Sequence, residues 1–408
     1  MEKTSDRFID KLIVMLTTLW LVSFTLFSTE TWGKYVYLGL TVVIFGLGAI
    51  RNGWKVNLAI EPFHLCTMLF LLYGFASYLW AIDGTYTIKR MSTVAQTLIC
   101  MYFVYTYYRE DKDSSRLLDC VMWAGYIVAI YAIYYYGLNT IRSLIAAGDR
   151  IDNEFTNVNE IGMMAAYSLL ITFSRIVNKH FSGSFMFSLP ALLMVIASGS
   201  RKAFIILLFG VLFVYLTRSV SQSSNPIETL FKFFLVCSIG AIAIIIIWSI
   251  PAFKPVTERL LQTLNQLTGN GIVDESTIRR VRFIEIGWQQ FIKTPIQGIG
   301  IGNSLFIIGR NTYLHSNYIE ILACGGILGI LTFYSSYLYC LKELTHGMKN
   351  YNEITTLCVT FFILQLVMDF MQVSYFSKDT FFYFMIFFLQ VKSIRNEKRS
   401  HLEEITHV

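Results

Sequence analysis

Of the side chains with chemistry to offer, His315 is best suited to moving a proton. It stands in Tyr313-Leu314-His315-Ser316-Asn317-Tyr318, at the mouth of a long apolar run. Imidazole takes up a proton near neutral pH and so serves as a base. Of the six histidines (His64, His180, His315, His346, His401 and His407), it alone is expected at the outer surface. The alternative is an interfacial histidine that anchors a helix end. Arg201 lies in Ser198-Gly199-Ser200-Arg201-Lys202, a tight turn between two apolar runs. Ser200 can cap the second run, leaving Arg201 in a first helical turn among unpaired backbone N–H groups and the positive end of the dipole. That place disfavours a structural cation and suits an anion site. A snorkelling interfacial arginine is the alternative.

Arg280 is the third candidate. It shares a stretch of helical periodicity with Arg279 and Arg282. At about 100° per residue it falls nearest the apolar stripe, while the other two point away. A cation facing the protein wants an anionic partner; for the trio as a whole, anionic lipid headgroups are the alternative. Three acids keep two readings each. Asp369 within an apolar run is a functional suspect or a packing residue, and Glu320 and Glu160 near helix ends share that ambiguity. Gly298-Ile299-Gly300-Ile301-Gly302 has the look of a phosphate loop. It follows no strand and faces away from any nucleotide pool, so it reads as a flexible bend.

The elements that must position these residues are membrane helices. Hydrophobic residues make up 55% of the 408 and charged residues 15%, with a mean hydropathy of +0.54; soluble chains are about one quarter charged. The charge gathers between apolar runs near the roughly 20 residues that a helix needs to cross a bilayer. Backbone groups cannot go unpaired in lipid, so the runs must be helical. Twelve spans are expected, centred on 9–27, 35–50, 62–82, 92–108, 117–137, 157–177, 184–199, 201–217, 231–250, 316–341, 355–375 and 379–393. The fold class is all-α: a polytopic transmembrane bundle forming one membrane domain over 1–408.

About 18 of the 33 Lys and Arg fall in segments that an inside N-terminus leaves in the cytoplasm, against about 8 in the short outer loops. Both termini are therefore expected inside. The net charge of +6 needs no nucleic acid to explain it. The seven cysteines lie in or beside spans and none pairs at metal-ligand spacing, so neither disulfide nor metal is expected. The one long outer segment, 251–314, carries two helix-like stretches, 256–267 and 276–293. Asp274, Glu275 and Ser276 suit the start of the second. Its stripe of Val281, Ile284, Trp288, Phe291 and Ile292 would lie on the membrane or pack over the ends of the spans.

The same positions sit in contexts that resemble the bacterial O-antigen ligase and polysaccharide polymerase superfamily. His315-Ser316, nine further residues, then Gly326-Ile327-Leu328-Gly329 is similar to that family's histidine motif. Ser198-Gly199-Ser200-Arg201 resembles its "SR" motif. Arg280, fifteen residues before Pro295 and followed by Gly298-Ile299-Gly300, resembles its arginine, helix and P-x-x-G-x-G pattern. Asn157-Val158-Asn159-Glu160-Ile161-Gly162 is similar to its N-x-N-x-x-G stretch. The resemblance covers 157–342; before it, Trp80 to Arg90 is a faint echo.

The resemblance implies metal-independent glycosyl transfer outside the membrane, without a cofactor. The donor is a glycan on undecaprenyl diphosphate and the acceptor a sugar hydroxyl. It implies that Arg201 and Arg280 hold the diphosphate and His315 is the base, with Asn159, Ser316, Glu320, Asp369 and Arg279 supporting. Diphosphate is a good leaving group, so cations suffice without a general acid. The partners implied are the lipid-linked donor, the glycan acceptor, membrane lipids, and flippase and chain-length regulator proteins. The first expectation is a polymerase of surface-polysaccharide repeat units in a bacterial cytoplasmic membrane. The alternatives are a ligase delivering a finished glycan to lipid A-core or another acceptor, a transporter or flippase of the lipid-linked glycan, and a sensor or scaffold with no chemistry.

Overall fold

The computed structural model describes residues 2–27, 30, 32–111, 114–152, 156–180, 183–221, 225–250, 275–310, 312–348 and 352–406, with 253, 254, 257, 258, 261, 262 and 265 between. Among these the regular structure is all helical, with no strand. The chain divides into two compact units, each assembled from three separate segments.

The first unit holds α1 (Glu2–Leu26), α2 (Gly33–Arg51), α5 (Ser115–Tyr136), α6 (Leu138–Ala147), α7 (Val158–Val177), α8 (Ser188–Ser198), α9 (Arg201–Ser221) and α10 (Pro226–Ser249). Helix α7 is its centre and packs against α5, α8 and α9. Small side chains make that possible, because helices in an apolar medium associate through close packing. Ala165, Ala166 and Ser168 on α7 are all fully buried. The Asn157 side chain caps α7 by accepting from the Asn159 N–H at 3.0 Å.

The second unit holds α3 (Pro62–Ala76), α4 (Gly84–Asp111), α11 (Glu275–Lys293), α12 (Ser304–Ile308), α13 (Asn317–Gly347) and α15 (Lys378–Thr406). Pro62 opens α3 inside a capping box formed by Glu61 and His64. Asp83 opens α4, accepting from the Thr85 N–H at 2.8 Å. Helix α14 (Glu353–Met368) runs from the first unit into the second.

Each of the twelve expected spans falls on a helix. By length and composition, α1, α2, α3 with its 3-10 turn Ser77–Trp80, α5, α7, α9 and α13 are long and apolar enough to cross a membrane among the described residues. The chain is a polytopic helical membrane protein. Several boundaries differ from expectation. Helix α4 begins at Gly84, eight residues before 92, the run expected over 355–375 stops at Met368, and α15 continues past 393 to Thr406. A short extra helix, α6, follows α5 after Gly137, whose φ of +79° breaks the helix. Residues 256–267 and Asp274 fall largely outside the described residues, while the second expected stretch of that segment is α11.

Helix α13 is broken. Gly326 has φ 61° and ψ −161° in its midst, so the carbonyls before the break and the amides after it lose their helical partners. The segment 295–302 supplies replacements. Ile299 N–H donates to the Ala323 carbonyl at 3.2 Å and Gly300 N–H to the Cys324 carbonyl at 2.8 Å. In return, Ile327 N–H donates to the Pro295 carbonyl at 2.8 Å and Leu328 N–H to the Ile296 carbonyl at 3.2 Å. The glycine-rich stretch is therefore no flexible bend. It is a buried plug, and residues 298–304 are all buried. Its glycines are required because a Cβ on Gly298 would overlap the Cys324 carbonyl, and one on Gly326 the Ile296 carbonyl.

A matched pair of substitutions isolates that overlap. Gly298 and Gly309 have similar φ, 65° and 69°, but only Gly309 has open space where a Cβ would go. Gly309→Ala should cost about 1 kcal/mol of left-handed strain. Gly298→Ala should cost more than about 3 kcal/mol as backbone shifts to relieve the clash. Thermal unfolding of the two purified variants checks the difference.

Candidate active site

His315 adopts a left-handed backbone, φ 59°, uncommon for a residue with a side chain. Its ring is half-buried between two aromatics. Phe283 of α11 stacks parallel to it, centroids 6.0 Å apart, and Tyr313 leans on it at 4.6 Å. The flanking backbone holds this geometry. Leu314 N–H donates to Glu320 Oε2 at 2.8 Å, and Asn317 N–H donates to the Asp369 carbonyl at 2.7 Å.

Both acids are anchors for that turn. Glu320 is 2% exposed; its other oxygen accepts from Ser304 Oγ at 2.6 Å, joining the first turn of α13 to α12. Asp369 lies one residue past α14, in the connection 369–377, and is fully buried. Its Oδ1 accepts from Ser374 Oγ at 2.6 Å and Gln365 Nε2 at 3.1 Å. Its Oδ2 accepts from Tyr334 Oη at 2.8 Å, with Tyr337 Oη and Asn317 Nδ2 at 3.4 Å. Burial pushes the carboxyl up to about 6, against the pull of these donors. Asn317 completes the clamp, its Oδ1 accepting from the Ser374 and Tyr375 N–H groups at 2.9 and 3.0 Å. Ser316 is buried, and its Oγ faces the Asp369 carbonyl at 3.4 Å. Both oxygens of Asp369 are thus taken up by hydrogen bonds within the fold.

Helix α11 seats on this turn. Phe283, Leu314 and Ala323 form a small buried core, with Ile286, Ile307, Ile308 and Ile319 against it. Gly287 permits the approach, since a Cβ there would overlap Ile319. The packed face is thus Arg280, Phe283 and Gly287, not the expected stripe. Trp288 and Ile292 are exposed at 48% and 62%, because Gly287 and Phe283 let the backbone come closer than a row of large side chains would. Arg280 is half-buried and within one turn of Phe283, while Arg279 and Arg282 are exposed. His315, Ser316, Glu320, Asp369 and Arg280 are therefore gathered in one unit.

Arg201 and Asn159 belong to the other unit. Gly199, φ 54°, ends α8 in a left-handed cap. Ser200 then caps α9, its Oγ accepting from the Ala203 N–H at 3.4 Å, so Arg201 is the first residue of the helix. Gly162 of α7 packs on Ser198 and Ala203. The N-x-N-x-x-G stretch and the arginine turn therefore meet within one packed cluster. The Asn159 side chain is engaged locally, donating to Asn157 Oδ1 at 3.2 Å.

Residues 186–334 match the O-antigen ligase family model. The matched segment runs from before α8 into α13 and contains Arg201, Arg280 and His315. It leaves out Asn159 and Asp369. A comparison with curated proteins finds no match. A segment of this helical membrane protein is thus similar to O-antigen ligases. The Arg90 guanidinium lies 4.0 Å over the Phe376 ring.

The clamp yields a direct expectation. Asp369→Asn replaces one acceptor oxygen with a donor amide and leaves a buried hydroxyl or amide unpaired. It should destabilise the protein by about 1–3 kcal/mol, seen as a lower midpoint of thermal unfolding in detergent.

Proposed function

We propose that the protein joins lipid-linked glycans: a membrane glycosyltransferase with a glycan on undecaprenyl diphosphate as donor. The observation that carries this is the His315 turn. An imidazole is stacked, half-buried and locked by two anchored carboxylates, with an arginine-bearing helix packed on it. In this reading the imidazole takes the proton of an acceptor sugar hydroxyl, and the oxygen attacks the anomeric carbon. The bond from that carbon to the diphosphate oxygen breaks, and the departing charge is met by Arg280 and Arg201. The role of Arg201 rests on its motif and its place at the N-terminus of α9. One displacement of this kind inverts the anomeric configuration. Glu320 and Asp369 position the base rather than react.

Polymerisation of surface-polysaccharide repeat units is the first assignment, from the Ile-, Lys- and Tyr-rich composition that suggests an AT-rich gene, as many surface-polysaccharide genes are. Ligation to lipid A-core or another acceptor is the second, and the description of the matched family favours it. Either would run on the outer face of a cytoplasmic membrane with both termini inside, the orientation the Lys and Arg distribution supports.

Purified protein in detergent, where transport has no meaning, should consume lipid-diphosphate glycan, and chelators should leave the rate unchanged. His315→Ala should lower it by about 10²-fold or more at normal membrane levels. Unchanged turnover in that variant would remove the base and with it the mechanism. A ladder of products from lipid-linked repeats alone marks a polymerase; single additions to lipid A-core mark a ligase.

A further inference from the structure

An apolar groove of about 590 Å³ is walled by α3, α4 and α15, all within one unit. Phe381, Phe384 and Phe388 form the α15 wall. Along α4 the groove runs from Ala95 to Tyr105, about 15 Å at the rise of a helix. That is half of the roughly 30 Å hydrocarbon core, the depth of one leaflet. Leu58, Ile60, Met68 and Ile99 line it and are exposed, so it opens on a flank that faces lipid.

The groove belongs to the leaflet remote from the His315 turn. Phe63 and His64 stand in the first turn of α3. The Phe63 ring stacks on Phe388 at 4.1 Å and lies 6.3 Å from Tyr339, late in α13. His315 lies just ahead of the first residue of α13, at its other end. Further along α3, Tyr73 already meets the glycine plug.

A polar group in the wall is left without a partner. Thr67 and Tyr102 donate their hydroxyls to the His64 and Leu58 carbonyls. Nearby, Arg109 is taken up by Glu61 Oε1 at 2.9 Å and the Ala59 carbonyl at 2.8 Å. The imidazole of His64 differs. Its Nδ1 accepts from the Glu61 N–H at 3.0 Å, which puts the ring proton on Nε2. The rings of Phe63, Tyr102, Tyr105 and Phe388 surround it, and among the described residues Nε2–H has no acceptor.

In a bilayer an apolar wall hardly distinguishes one hydrocarbon from another, because lipid tails are equally apolar. The N–H does distinguish them. Held in the groove without an acceptor it is unfavourable, and a carbonyl oxygen removes that penalty. A polyprenyl chain has no carbonyl. A glycerophospholipid has one where its acyl chain begins, at the end of the groove where His64 stands. We infer that the groove binds one acyl chain of a glycerophospholipid in the leaflet opposite the His315 turn, its ester carbonyl accepting from His64 Nε2–H. The site is independent of the chemistry at His315.

The test reads binding, with no activity. Full-length wild type, Ala95→Phe and His64→Leu are purified in detergent and titrated with dioleoylphosphatidylethanolamine. A second titration uses the analogue with ether links in place of the esters, and bound lipid is counted by native mass spectrometry. Ala95→Phe, which fills the groove with an apolar ring, should weaken the ester lipid about tenfold or more. Wild type should prefer ester to ether by about threefold to tenfold, and His64→Leu should lose that preference. Should His64→Leu fail to fold, the ester and ether comparison in wild type and the Ala95→Phe result decide. Equal affinity of wild type for both lipids, or unchanged lipid binding in Ala95→Phe, would overturn the assignment. Displacement of the phospholipid by undecaprenyl phosphate in wild type but not in Ala95→Phe would overturn it too, and give the groove to a polyprenyl chain.

Discussion

The rest of the site depends on how one broken helix satisfies its backbone. Interrupting α13 at Gly326 leaves amides and carbonyls without helical partners, and each such group left buried and unpaired costs several kcal/mol. The plug 295–302 answers with four backbone hydrogen bonds in both directions. Because the plug must fit, its own surroundings are fixed. Tyr73 and Trp80 both donate to the Gln297 carbonyl, at 3.1 Å each, and Ser77 Oγ accepts from the Ile301 N–H at 3.0 Å. Asn303 bridges to Thr87 at 2.8 Å. The plug thereby sets the start of α12, the bond from Ser304 to Glu320, and through Leu314 the turn that carries His315.

Two glycine-bearing stretches, 295–300 and 326–329, become one device in this light. Each supplies the hydrogen-bonding groups the other lacks, and each needs glycine where a Cβ would collide with the opposite backbone. The arrangement suits a membrane protein, in which irregular backbone survives at depth only when protein covers it.

Charge in the His315 unit is spent unevenly. Glu320 and Asp369 are acids by composition, yet their oxygens are taken up by hydroxyl, amide and backbone donors, which makes them fasteners. The arginines are the reverse case. Arg280 is half-buried on α11, and Arg90 lies 4.0 Å over the Phe376 ring with no carboxylate paired to it among the described residues. The imidazole sits between these two kinds of group, with its backbone held in a left-handed turn that costs about 1 kcal/mol and that the clamp around Asp369 sustains.

Much of this was legible from local pattern. Apolar run length marked the helices, periodicity turned Arg280 inward and Arg279 and Arg282 outward, and Ser200 ahead of Arg201 marked a cap. Each depends on residues within a turn or two of one another. The failures share a different character. The packed face of α11 depends on Ile319 and Leu314, residues on other elements, and the glycine stretch looked mobile because its partners lie near 325. Tyr73 reaches the Gly325 carbonyl across 252 positions of sequence. Where helices run, where they start and which residue types stand at their ends follow from short-range sterics and hydrogen bonding, and so could be read along the chain. Which buried polar groups are spent on holding the fold depends on partners far away in sequence, and so emerged only from the folded arrangement.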